Sequence, residues 1–248
     1  MPTGSPTKDG PRPRMVGVIM SQTDLDLAIR MREWPDLFEL RLDHLVSPPS
    51  VSAATCGATD VVDELEEKVS RLCAPLIVTA RHPQEGGANR LTLRQRRDLL
   101  FRFLPHARYV DIELRSAAGL LSLFKLAREK NVRRIISFHD LKATPDLGRL
   151  QFKARRAKSL DADIFKVATR TDTPAQLARL LDFLMQTDLD LAVSVMGIGK
   201  LGAISRVLLA YRGSALVYGS VTATRDIESQ MSLEQLRAFG IGSRTRVF

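Results

Sequence analysis

Residues 37–43, Leu37-Phe38-Glu39-Leu40-Arg41-Leu42-Asp43, alternate apolar and ionic side chains along a strand-like run. Successive side chains of a strand point to opposite faces, so Phe38, Leu40 and Leu42 share one side while Glu39, Arg41 and Asp43 share the other. Packed helices take the apolar side. The ionic side must then face an enclosed interior, where charge is costly unless it pairs with other charge or with a ligand. A closed ring of strands with a site at its mouth offers such an interior.

The rest of the chain repeats this unit. Strand patterns fall at 15–20, 37–43, 75–81, 109–114, 132–139, 163–168, 190–196 and 215–220, with helical patterns between them. Val62, Leu65, Val69 and Leu72 recur at helical spacing, as do Leu177, Leu180, Leu181 and Leu184, then Leu201, Ile204 and Leu208. Thr173-Pro174 and Thr144-Pro145 each read as an N-cap followed by proline at the first helical position. Strict alternation of strand and helix implies a parallel sheet, and eight units imply an α/β fold of the single (β/α)8 (TIM) barrel type. The barrel is expected to form one catalytic domain over 14–248, preceded by a disordered Pro/Gly-rich leader over 1–13.

Composition narrows the function. Of 248 residues, 44% are hydrophobic and 26% charged, ordinary for a globular domain, and no apolar run approaches a membrane span. The opening MPTGSPTKDGPRPR lacks the apolar segment of a signal peptide. Cys56 and Cys73 have no metal-site spacing and fit a reducing cytoplasm. The net charge of +9 favours anionic partners. Either nucleic acid or a small carboxylate or phosphate would serve, but Arg94-Gln95-Arg96-Arg97 and Lys153-Ala154-Arg155-Arg156 lack interleaved aromatics and read as solvated helix faces.

Extending the parity of residues 37–43 to the other strands places Thr79 and Arg81, Asp111 and Glu113, Ser137 and His139, Lys166, and Ser194 and Met196 on the interior side. Lys166 stands out within Ile164-Phe165-Lys166-Val167-Ala168. Burial disfavours an ammonium and favours the neutral nucleophilic amine, which opens imine chemistry. An imine acidifies the adjacent carbon. His139, one strand away, is the candidate base, and Glu85, in the loop after the third strand, can hold its imidazole in one tautomer. Gly197, Gly199 and Gly202 form a G-x-G-x-x-G after the seventh strand, without the downstream acid of a dinucleotide site. This loop suits close approach of a carboxylate, received by the following helix start together with Arg206.

On Phe38–Asp43, Thr79–Gly87, Ser137–Asp140 with Thr144-Pro145, Ala162–Ala168 and Ser194–Gly197 through Ser205-Arg206, the chain resembles type I 3-dehydroquinate dehydratase, a Schiff-base enzyme of the shikimate pathway. The resemblance implies dehydration of 3-dehydroquinate through an imine on Lys166, with protons moved by His139 and Glu85 assisting. It also implies Glu39, Arg41 and Arg81 as binders of ring hydroxyls, Arg206 as the carboxylate clamp, Met196 as an apolar wall and Gln230 as a lid contact. No metal or organic cofactor is implied, and a homodimer is expected. The last loop departs from the family's Ser-Ala-Pro-Gly-Gln: here it reads Thr224-Arg225-Asp226-Ile227-Glu228-Ser229-Gln230, adding negative charge near an anionic ligand and predicting weaker binding. The alternatives are another lysine-imine barrel enzyme of the aldolase type, a basic nucleic-acid-binding module, and a family member inactivated through this loop.

Overall fold

The structure, a computed structural model, describes residues 12–47, 58–186, 189–222 and 230–242. Eight parallel strands follow one another around a ring: β1 (Arg14–Ile19), β2 (Leu37–Arg41), β3 (Leu76–Thr79), β4 (Ala107–Glu113), β5 (Arg133–Asp140), β6 (Ile164–Arg170), β7 (Ala192–Ile198) and β8 (Leu216–Ser220). They pair in the order β7-β6-β5-β4-β3-β2-β1-β8. The ring closes between β7 and β8 through individual bonds, Ala215 N to Val193 O at 2.8 Å and Ser194 Oγ to Leu216 O at 3.0 Å.

The helices are α1 (Gln22–Arg30), the single turn α2 (Leu42–Leu45), α3 (Ala58–Val69), α4 (Leu93–Phe103), α5 (Leu121–Glu129), α6 (Leu147–Ser159), α7 (Pro174–Gln186), α8 (Gly202–Tyr211) and α9 (Leu233–Ala238). Period-two patterning divides the apolar residues. Phe38, Leu40, Val78, Val110, Ile112, Ile136, Phe165, Val167 and Val195 point outward and join the helices in the main core. Val16, Val18, Leu37, Ile77, Tyr109, Ile135, Ile164, Leu216 and Tyr218 plug the ring's interior, leaving the C-terminal strand ends for ionic groups.

Four expectations need correction. β2 ends at Arg41 and Asp43 lies on α2, so Asp43 reaches the interior from a helical turn and not from a strand face. Thr144-Pro145 does not start α6: Asp146 is the N-cap, accepting from Arg149 N at 2.9 Å, while Thr144 is buried and donates to Arg170 O at 2.6 Å. On α8 the stripe Leu201, Ile204, Leu208 is not the packed face, for Ile204 is 52% and Leu208 39% exposed while Ser205, Arg206, Leu209 and Ala210 are buried. The helix is rotated so that Arg206 turns inward. Arg96 is only 1% exposed, not solvated. At the start of the chain, Arg12 pairs with Asp36 at 2.8 Å, whereas residues 1–11 of the expected leader lie outside the described residues.

Candidate active site

Most interior residues expected from strand parity lie toward the C-terminal ends of their strands, but Lys166 and Ser194 are each the third of seven residues in β6 and β7, which run on beyond the ends expected from sequence. One register row joins Glu113 to Ser137, Ser137 to Lys166 and Lys166 to Ser194 across β4, β5, β6 and β7. Lys166 is 3% exposed, and its Nζ donates to Glu39 Oε1 at 3.1 Å and Asp111 Oδ2 at 3.0 Å. The nitrogen also sits over the Tyr218 ring, 4.0 Å from its centroid. It does not snorkel to solvent. These partners hold the amine in an ionic socket.

Arg81 is the hub of the cluster. Its two terminal nitrogens bind both oxygens of Asp111, at 3.0 and 2.8 Å, and Nη1 also donates to Ser137 Oγ at 2.6 Å. Burial works against this guanidinium, yet Asp111 and Glu113 hold it above its ordinary range. Asp111 is likewise disfavoured by burial but held well below the usual carboxylate range by Arg81 and Lys166. A planar fork facing a carboxylate fixes both groups in place. Thr79 Oγ1 donates to Glu39 Oε1 at 2.9 Å, orienting the carboxylate beside Lys166.

His139 stands one interior step beyond Ser137, the register partner of Lys166. Its Nδ1 lies 3.0 Å from Glu85 Oε2, and its backbone N donates to the same oxygen at 3.0 Å. Burial first, and then the positive charges of Arg81 and Lys166, pull the imidazole well below its usual value. A neutral ring that donates from Nδ1 to Glu85 leaves the Nε2 lone pair free to accept a proton. Glu85 is pushed up to about 7 by burial and by the neighbouring Glu113. The loop delivering Glu85 is tight: Gly86 has φ +85°, and a Cβ on Gly87 would stand 2.1 Å from Arg81 O.

Arg41 and Asp43 form a two-pronged pair at 2.9 and 2.8 Å. Asp43 also accepts from Arg81 N at 3.1 Å and Ala88 N at 3.0 Å, tying α2 to the loop that carries Glu85. Met196 is buried with the interior apolar set. Arg206, buried on α8, donates from Nη1 to Gly202 O at 3.1 Å, beside the glycine loop, and burial lowers it to about 10. Gln230 is half-buried next to Met231, whose carbonyl accepts from Ser220 N at 2.9 Å, so it stands beside the tip of β8. Thr224–Ser229 lie outside the described residues.

Two contributors, Tyr218 and Arg96, are not among the residues expected from sequence. Tyr218 shares a strand face with Leu216 and Ser220, which is a legible parity signal. Arg96 belongs to the helical stripe Arg96, Leu99, Leu100, Phe103, all buried, so its position and not its type signalled burial. Asp43 was placed in the interior, but its role in organising the loop through Ala88 could not be read.

The sequence profile of the type I 3-dehydroquinase family matches residues 17–239. The chain is 30% identical over 226 residues to the 3-dehydroquinate dehydratase of Latilactobacillus sakei, covering 86% of each sequence. It is 28% identical over 208 residues to that of Thermodesulfovibrio yellowstonii, covering 83% of this chain and 85% of the relative. Among solved structures, the 3-dehydroquinate dehydratase of Aquifex aeolicus superposes with a TM-score of 0.72 at 26% identity, covering 91% of this chain and 96% of the other. The Geobacillus kaustophilus enzyme matches in fold with a TM-score of 0.79 at 23% identity, covering 93% and 90%.

Proposed function

Because this chain belongs to the type I 3-dehydroquinase family, we propose a division of its reaction in which Lys166 carries the substrate as an imine and His139 moves the protons. The enzyme is a lyase that removes water from 3-dehydroquinate to give 3-dehydroshikimate. In this reading Lys166 gives up a proton to solvent, Nζ attacks the substrate ketone, and the proton the nitrogen then sheds passes to the ketone oxygen to give a carbinolamine. The carbinolamine loses water to form an iminium. His139 Nε2 takes a proton from the adjacent carbon, and the bonding pair moves toward nitrogen as an enamine. The enamine pair returns, the neighbouring carbon–oxygen bond breaks, and the proton held by His139 leaves with the departing hydroxyl as water. Hydrolysis of the product iminium restores Lys166.

The observation that supports this division is the joint placement of Lys166, Glu39, Asp111 and His139 inside the ring, with Lys166 bonded to both carboxylates and His139 one interior step beyond its register partner Ser137. Asp111 and Glu39 balance charge as the nitrogen passes from ammonium to iminium, and Glu85 keeps the imidazole in the tautomer that presents Nε2. Glu39, Arg41 and Arg81 take the ring hydroxyls, Met196 lines the apolar side, Arg206 receives the carboxylate and Gln230 contributes from the lid. The chain's net +9 charge serves this small anion and not nucleic acid. The test is product formation from 3-dehydroquinate, followed by the absorbance of the conjugated ketone. Wild-type protein should turn over and Lys166→Ala should not; equal rates would refute the assignment.

The same reading extends to the chain's setting. The barrel from residue 14 onward acts as one catalytic domain after a leader, in the cytoplasm; among the described residues no helix is long and apolar enough to cross a membrane. A homodimer accounts for Ile204, Leu208 and Tyr211, exposed apolar side chains along one side of α8. Asp226 and Glu228 weaken substrate binding relative to typical members, which a comparison of KM with a relative carrying Ser-Ala-Pro-Gly-Gln tests directly.

A further inference from the structure

Arg96 is one of the largest fully buried side chains among the described residues, although it starts from α4, outside the ring. It passes inward beside β3 and β4. Nη1 donates to Glu113 Oε2 at 2.8 Å and Ala80 O at 3.2 Å, and Nη2 donates to Ser116 Oγ at 2.9 Å. The other oxygen of Glu113 accepts from His82 N at 2.7 Å and lies 3.5 Å from Arg81. His82 begins the tight turn that carries Glu85: Glu85 N and Gly87 N both donate to His82 O, at 2.9 and 3.1 Å. A chain of bonds therefore runs from α4 through Arg96 and Glu113 to the loop holding the carboxylate under His139.

We propose that Arg96 and Glu113 are positioning residues for the His139–Glu85 pair: Arg96 fixes Glu113, and Glu113 anchors the Glu85 loop through His82 N and sets a second carboxylate behind it. The inference rests on the assignment of Glu85 as the partner of His139. A merely structural ion pair would require only satisfied bonds. Here the pair also stands within the field of a second carboxylate, and like charges at close range oppose one another's ionisation. The groups facing Glu85 are Glu113 and Arg115 from β4 and its end, Arg81 from the end of β3, and His139 from β5, and burial and Glu113 outweigh the rest. The consequence is chemical. A Glu85 that exchanges a proton near working pH can follow the charge on the imidazole as it gains and loses hydrogen.

The test is the pH profile of kcat/KM for wild type, Glu85→Gln, Glu113→Gln and the double variant. Glutamine at 113 keeps an oxygen for His82 N and removes only the charge. Wild type should lose activity below about pH 7, and Glu85→Gln should lack that limb. Glu113→Gln should move the limb down by about one pH unit, so that at pH 6 it keeps a several-fold larger share of its own plateau. The double variant should again show no limb. If Glu85→Gln retains the limb, the Glu85 assignment fails and this inference with it. If Glu85→Gln removes the limb but Glu113→Gln leaves it in place, only this inference fails. Should Glu113→Gln not fold, infrared titration of the carboxyl band decides with unmodified protein and Glu85→Gln alone. One carboxyl protonating near neutral pH and lost in Glu85→Gln supports the proposal, and no carboxyl titrating above the ordinary range overturns it.

Discussion

His139 and Glu85 meet twice at a single atom: the ring Nδ1 and the backbone N of His139 both lie 3.0 Å from Glu85 Oε2. The doubled contact fixes the imidazole's orientation as well as its tautomer, because the backbone bond stops the carboxylate from following the ring if it rotates. The edge of the ring that carries Nε2 is thereby held on the side away from Glu85.

If His139 is the proton carrier, His139→Ala should lower kcat by roughly 10²–10⁴-fold without preventing imine formation. Intact-protein mass spectrometry after borohydride should find the variant at least as fully modified as wild type. Unimpaired turnover would remove His139 from the mechanism.

Glu85 is held at about 7, above its ordinary carboxyl range, by burial and Glu113. Between that range and pH 7 the folded protein keeps a proton that the unfolded chain releases, so stability falls as pH rises through this window. Glu85→Gln lacks the fall. Its unfolding free energy relative to wild type should therefore increase from pH 5 to pH 8, by an amount on the order of 3 kcal/mol at most, while its kcat drops. Urea unfolding at the two pH values measures this, and a constant difference would contradict it.

Arg206 is buried beside the carbonyls of Gly197 and Gly202, and burial lowers it to about 10. The fold alone thus disfavours its charge, and a bound carboxylate reverses that. Arg206→Leu should raise KM by about 10- to 100-fold, the worth of one charge-assisted hydrogen-bonded pair, with a smaller change in kcat and no loss of thermal stability. A large loss of stability with KM unchanged would mark a structural role.

Much of the site is legible in the sequence, and the rest is hidden for physical reasons. Alternation in residues 37–41 placed Glu39 and Arg41 because a parallel barrel strand has only two faces, and the same rule found Arg81, Asp111, His139 and Lys166. It gave the right side for Asp43 on the wrong element, because the chain leaves the strand at Leu42 and turns helical, which no alternation reveals. Arg96 was hidden by its own chemistry: a charged residue in a basic cluster reads as solvated, although its helical spacing to Leu99, Leu100 and Phe103 marked the packed face. The face of α8 was misread because the site, and not the core alone, sets that helix's rotation by drawing Arg206 inward. At Thr144-Pro145 the sequence points to proline as the first helical residue, whereas the oxygen that caps α6 belongs to Asp146.

The most direct measurement is borohydride reduction of the protein during turnover of 3-dehydroquinate, followed by peptide mapping. The mechanism predicts one irreversible adduct, on Lys166 and on no other lysine, with activity lost in proportion to its formation. An adduct on a different lysine, or full activity after Lys166 has been replaced by alanine, would contradict it.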